Sequence, residues 1–203
     1  MNGNQNQNQN AQALNAHQAE LLELRKDEIE TQINNEFDFF YKSIRIIKAS
    51  KEDLKDIKKI VKQNKQDILM IGNAYAKSKI IKADDVFTDE EIKNCYISNI
   101  KTLEDNKKRQ EEIERAIRNH KKIIKNFTKF YNKISKVYNP NIPEYTSEQI
   151  AEKDKQKFLI DILNSYTNYF NRYIYYNHEK AFQKNGMILE IINEYTGYEF
   201  LIL

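Results

Sequence analysis

From Thr88 the chain meets neither proline nor glycine until Pro140. Across that stretch a seam position recurs at alternating spacings of four and three. It runs from Ile92 and Tyr96 through Leu103, Ile113, Ile117, His120, Ile124, Phe127, Tyr131 and Ile134 to Tyr138. That period keeps one face of an α-helix pointed the same way. At 1.5 Å per residue Thr88–Tyr138 would measure about 75 Å, against a diameter of about 43 Å for a compact globule of this chain's length. The helix therefore either overhangs its body or turns within the polar Glu104–Glu112 stretch. One long or mildly bent helix is the expectation, because that stretch holds no helix breaker. Asn99, Asn106 and Gln110 make the first half of the seam partly polar.

The rest of the chain reads the same way. Four glycines and two prolines are too few for the turns a sheet requires. A first helix is expected from Ala11–Leu14 to Lys48, with Ile29, Ile33, Phe37, Phe40, Ile44 and Ile47 on one face. Ser50, followed by Glu52 and Asp53, looks like a fresh N-cap. It would start a second helix with the seam Leu54, Ile57, Val61, Asn64, Ile68, Ile71 and Tyr75. Asn64 interrupts that seam as a solvated or locally paired amide, or as a register-fixing polar residue. Gly72 marks a close helix approach or a bend. Thr88 and Glu91 form a capping box ahead of the third helix.

"YNPNIPEYTSEQ" is the clearest break: Pro140 and Pro143 stop one helix, and Thr146 with Gln149 starts another. A fourth helix is expected over 147–184, ended by Asn185-Gly186, with a shorter element after it. The expected fold is all-α: an elongated bundle of three to four long helices with heptad-like seams, a short C-terminal helix and extended termini. Its parts are a polar arm at 1–13, a long-helix bundle at 14–138, the break at 139–146, an aromatic-rich helix at 147–184, and a C-terminal element with an apolar tail at 185–203.

Charge is arranged in blocks. Residues 20–38 carry seven acids and two bases, 42–82 twelve bases and four acids, 83–114 ten acids and five bases, and 115–138 eight bases and no acid. Antiparallel helices can pair such blocks, within a subunit or across an assembly. The overall net charge of +3 does not by itself call for nucleic acid. Arg118, Lys121, Lys122, Lys125 and Lys129 on the outward side of the last block would suit phosphates or an acidic partner, or simply the solvated back of a helix.

Tyr166, Tyr169, Tyr173 and Tyr176 share a helix face. They read as a wide aromatic core face or as a partner surface, since tyrosine offers large contact area at low entropic cost. No catalytic constellation is found: the three histidines lie in separate segments, and no phosphate-loop, dinucleotide or nucleophile-elbow motif occurs. No cofactor or metal is expected, and the chain does not read as an enzyme. The single cysteine, Cys95, excludes an intramolecular disulfide and reads as a buried structural thiol. No apolar run reaches the 18 or so residues of a membrane span, and no leader pattern opens the chain.

Two ends remain. Asn2–Gln12 carries no charge and nothing larger than Ala11 that is apolar, too little to offset the roughly 1–2 kcal/mol per residue of ordering a backbone. Its order is expected to need a neighbour. At the other end Tyr198, Phe200, Leu201, Ile202 and Leu203 follow Gly197 as a docking segment. A helical body of this size, this polar arm and the tail "GYEFLIL" together resemble the head–tail connector, or adaptor ring, proteins of short-tailed phages, the crAss-like group among them. The resemblance is one of architecture, without a sequence motif. It implies a virion protein assembled in the host cytoplasm, a homo-oligomeric ring that binds portal and tail proteins through its termini. From other classes come a helical protein that binds nucleic acid through the basic 115–138 face, and a coiled-coil regulator that binds one partner helix.

Overall fold

In a computed structural model the backbone is described for residues 3–80, 89–176 and 182–199, and side chains for 16–74, 76, 90–171 and 184–199. The fold is all-α, with no strand among the described residues. Among the described residues five helices follow in order: α1 (Gly3–Ile80), α2 (Asp89–Tyr138), α3 (Ser147–Ala151), α4 (Lys155–Tyr176) and α5 (Phe182–Thr196). Two are long, not three or four. The chain divides into two compact units, Ser43–Lys122 and the remainder, Met1–Lys42 with Ile123–Leu203.

The expected break at Ser50 is absent because nothing there breaks a helix. Ala49 and Ser50 are tolerated in mid-helix, and Ser50 itself falls on the stripe between Ile47 and Leu54, so the apolar phase is not lost. α1 also begins at Gly3, upstream of the expected start near Leu14; the side chains of residues 1–15 lie outside the described set. The Thr88 cap lies outside the described residues as well, with α2 beginning at the next position.

The hairpin unit, 43–122, is a pair of antiparallel helix segments from α1 and α2. Ser43, 1% exposed, sits with its Oγ 3.0 Å from His120 Nδ1. Lys58 Nζ lies 3.9 Å from Glu114 Oε1, so the basic 42–82 block does face the acidic 83–114 block. A Cβ at Gly72 would lie 3.9 Å from Tyr96 Cε2, an ordinary contact; the helices do not crowd this glycine. Only Ile57, Val61 and Ile117 are buried hydrophobic residues here among those described. Asn64 is partly buried, and its Nδ2 finds no hydrogen-bond partner among the described residues. Cys95 is exposed, not buried: it sits one position off the Ile92–Tyr96–Asn99 seam.

The aromatic unit holds most of the core. Ile29, Ile33, Phe37 and Phe40 of α1 are fully buried, as the stripe predicts. Phe127 packs with its ring centroid 4.6 Å from Phe40 and 4.9 Å from Phe37. Tyr131 stacks on Phe158 at 4.3 Å, and Phe130, off the seam, stacks on Tyr195 of α5 at 4.2 Å. Phe130 is buried because α5 covers a second side of α2, which a single-seam pattern does not anticipate.

The expected long helix over 147–184 does not run unbroken: α3 ends at Ala151 and α4 starts at Lys155. Thr146 caps α3 in the box foreseen, its side chain accepting from Gln149 N while Gln149 closes back on the Thr146 backbone. Asp154 then starts α4, its Oδ1 accepting from the amides of Gln156 (2.9 Å) and Lys157 (3.2 Å). Asn185-Gly186 lies inside α5. Burial of Ile188, Leu189 and Ile192 outweighs the roughly 1 kcal/mol that a mid-helix glycine costs. α5 ends instead at Gly197, whose φ of 73° is the left-handed conformation of a glycine C-cap.

A candidate interaction groove on the aromatic unit

The last turns of α2 are tied down at three residues. The Tyr138 hydroxyl lies 2.7 Å from both the Asp161 carbonyl and Ser165 Oγ on α4. Burial pushes its pKa up to about 12. Asn132, 7% exposed, donates from Nδ2 to the Tyr145 carbonyl (2.9 Å) and accepts the Tyr145 amide at Oδ1 (2.8 Å). This satisfies both backbone groups of Tyr145, a loop residue that lies outside any helix. Lys136 pairs with Glu144 of the same loop. The proline loop is thus fixed against α2, and with it one wall of a groove.

That groove, about 630 Å³, is lined by Lys133, Lys136 and Val137 of α2, Pro140, and Lys184, Met187 and Ile191 of α5. Its floor is apolar, and Met187 is half exposed there. Lysines form the rim. Lys133 bonds Glu194 at 2.8 Å. Lys184 Nζ donates to the Tyr138 carbonyl at 3.4 Å and lies 5.4 Å from the Tyr138 ring centroid. It is held by no carboxylate among the described residues. A second hollow of about 360 Å³ adjoins the first and adds Asn126, Lys129, Phe130, Glu194 and Tyr195. Together they follow the line between α2 and α5. Tyr195 closes the far end: its hydroxyl donates to Glu36 Oε2 at 3.0 Å, and burial, then Glu36, pushes its pKa upward.

No protein-family model, curated protein or solved structure matches the chain. The site is therefore read from its own chemistry. An open apolar floor with a cationic rim suits an amphipathic helix or peptide with acidic edges. It offers no nucleophile–base pair.

The residues singled out from sequence fall in several places. Tyr166 and Tyr169 are 0% and 5% exposed, part of the unit's own core; burial also holds the Tyr166 hydroxyl up to about 12. The reading as a core face is the one burial supports for them, and the partner-surface reading fails there because neither ring is offered to a neighbour. The side chains of Tyr173 and Tyr176, and all of Phe200, Leu201, Ile202 and Leu203, lie outside the described residues. Tyr198 is 53% exposed, just past the turn at Gly197. Arg118, Lys121, Lys122, Lys125 and Lys129 are all exposed, and only Lys129 lines the groove. Neither the α2 seam nor any motif pointed to Val137 or Met187, because the groove joins segments about fifty positions apart. Among the described residues no group of three His, Cys, Asp or Glu is placed to hold a metal ion, and no helix is long and apolar enough to cross a membrane.

Proposed function

We propose that the chain is a structural assembly protein, a subunit of a homo-oligomeric ring of the head–tail connector kind. In this reading it is a virion component that is assembled in the host cytoplasm, engages portal and tail proteins through its terminal segments, and catalyses no reaction. In the ring, heptad-like seams of neighbouring subunits complete a bundle of long helices. The observation that carries the reading is the α2–α5 groove: an open apolar floor, with Met187 half exposed on it. Exposed apolar area of this kind marks an interaction surface.

Native mass spectrometry of the full chain tests the proposal. The expected result is a closed oligomer of one defined copy number that persists at moderate salt. A monomer at every concentration would overturn it.

A second reading has its own observation. Arg118, Lys121, Lys122, Lys125 and Lys129 are exposed and pair with no carboxylate among the described residues. Such a row would bind phosphates, and binding to a DNA or RNA duplex would then fall steeply between low and moderate salt. Salt dependence separates the two. A coiled-coil regulator that uses the Asn64 seam would instead give a small closed oligomer with one partner helix.

A further inference from the structure

We propose that the groove between α2 and α5 receives the acidic outward face of α1 around Leu24 from a second copy of the chain. This rests on the assembly reading above and names its joint.

The two surfaces match in chemistry. Four lysines, Lys129, Lys133, Lys136 and Lys184, line the groove; Glu194 holds Lys133 and Glu144 holds Lys136, which leaves Lys129 and Lys184 without a carboxylate among the described residues. Residues 20–30 of α1 carry five acids against two bases. Leu24 is 54% exposed. At 100° per residue it stands about 140° round the helix from Ile29, which is fully buried in its own unit. Leu24 therefore points away from the core its helix serves. Glu20, Asp27 and Glu28 flank it at i−4, i+3 and i+4. Glu28 is held by Arg25 at 2.6 Å, whereas Glu20 and Asp27 pair with no base among the described residues.

The lengths also match. From Asn126 to Val137 the groove follows about 16 Å of α2, and Glu20–Glu30 is about 15 Å of helix, both at 1.5 Å per residue. A helix laid there puts Leu24 over the Val137–Met187–Ile191 floor and its acids against the lysine rim, the helix-in-groove mode of recognition. The acids of 20–38 make no ion pair with the α2 bases inside the subunit among the described residues; Asp38 pairs with Lys155 of α4 instead. The complementary charge of the two blocks is left available for a neighbour.

The contact is heterologous, since one copy's α1 face meets a different surface on the next, and repetition closes a ring or opens a filament. Each joint is small beside a typical interface of about 1,600 Å², so closure supplies the avidity that a single joint lacks.

Two charge-reversed full-length chains test this. One carries Lys129→Glu and Lys184→Glu, chosen because no carboxylate holds either lysine; the other carries Glu20→Lys and Asp27→Lys. All four positions are exposed, and circular dichroism should show both chains folded. By native mass spectrometry each alone is expected to lose at least about tenfold of its assembled fraction, because like charges meet at the joint. An equimolar mixture is expected to recover the assembly, with the two chains alternating, since each groove then finds an α1 of opposite sign. Assembly of both variants as in the parent chain would overturn this joint and leave the assembly reading standing. So would monomeric variants that the mixture does not rescue, the result expected if the chain's own tail covers the groove. A parent chain that is monomeric throughout would overturn both.

Discussion

The hairpin and the aromatic unit are built from stretches of the same two helices, yet they bury very different amounts. Between 43 and 122 only Ile57, Val61 and Ile117 are buried apolar residues among those described, and Leu69, Met70, Tyr96 and Ile97 are exposed. In the other unit Phe37, Phe40, Phe127 and Phe130 are each 2% exposed or less. The seam pattern is as regular in the first as in the second. What differs is the number of neighbours. A helix pair covers one stripe and leaves both edges of its seam wet, whereas α3, α4 and α5 close further sides of α1 and α2. Regular heptads set the direction in which a helix packs; a third and fourth layer set how much stability results. Opening free energies across the chain should be correspondingly uneven.

The largest expected effect lies in the aromatic unit. Phe127→Ala removes a ring with four aromatic neighbours at centroid distances of 4.6 to 6.3 Å. It should cost about 3–5 kcal/mol. Val61→Ala in the hairpin deletes the equivalent of two methylenes at about 0.8 kcal/mol each, on a seam already open at its edges, and should cost about 1–1.5 kcal/mol. Hydrogen exchange read peptide by peptide gives each unit its own stability. Equal losses would show that the hairpin is as well supported as the aromatic unit.

Alkali should act on one unit only. Burial holds Tyr131, Tyr138 and Tyr166 protonated up to about 12, and shifts Tyr195 in the same direction. Unfolded tyrosine ionises near pH 10. Between about pH 10 and 12 the unfolded chain therefore holds fewer protons than the folded one, and stability falls as pH rises. The contribution is fully present below pH 10. None of these four residues belongs to the hairpin. The expected outcome is a late group of tyrosines in tyrosinate absorbance that appears together with loss of near-ultraviolet dichroism. Tyr138→Phe, which keeps the ring and removes the titrating group, should shrink that step. Titration of every tyrosine near pH 10 with the fold intact would contradict the burial of these hydroxyls.

How much of this was legible beforehand follows from the range of each cue. The α2 seam from Ile117 to Tyr138, the stop at Pro140 and the Thr146–Gln149 box are local, and each appears as read. Ser50 and Asn185-Gly186 carry local signals for breaks that do not occur, because an apolar stripe running through them outweighs about 1 kcal/mol of propensity. Asp154 gives no cap signal in the sequence, since nothing around it breaks the helical period. Phe130 and the groove residues Val137 and Met187 owe their roles to α5, a partner that no spacing within α2 reveals. The exposed Cys95 shows the converse: hydrophobic residue type does not bury a side chain that sits one position off the seam.

The smallest effect turns on glycine, and its sign should differ between the units. Gly72 lies inside α1, where helical backbone suits any residue. A Cβ there would meet only Tyr96 Cε2, at 3.9 Å. Alanine loses less conformational freedom on folding than glycine and gains a contact with that ring, so Gly72→Ala should stabilise the hairpin by about 0.5–1 kcal/mol. Gly197 has open space around its Cα, with nothing within 4 Å of an added Cβ, but its φ is +73°. An L-residue pays about 1–2 kcal/mol in that region whatever the room available, and the amide that closes α5 onto the Asn193 carbonyl at 2.9 Å depends on the turn. Gly197→Ala should therefore destabilise the end of α5 by about 1 kcal/mol. The same added methyl group acts through backbone entropy in one place and through backbone strain in the other, and neither effect arises from crowding. Exchange rates of amides at 60–74 should fall in the first variant, and those at 188–197 should rise in the second. A loss at Gly72 would mean that the helices approach there more closely than 3.9 Å allows. No change at Gly197 would mean that α5 ends without the left-handed turn.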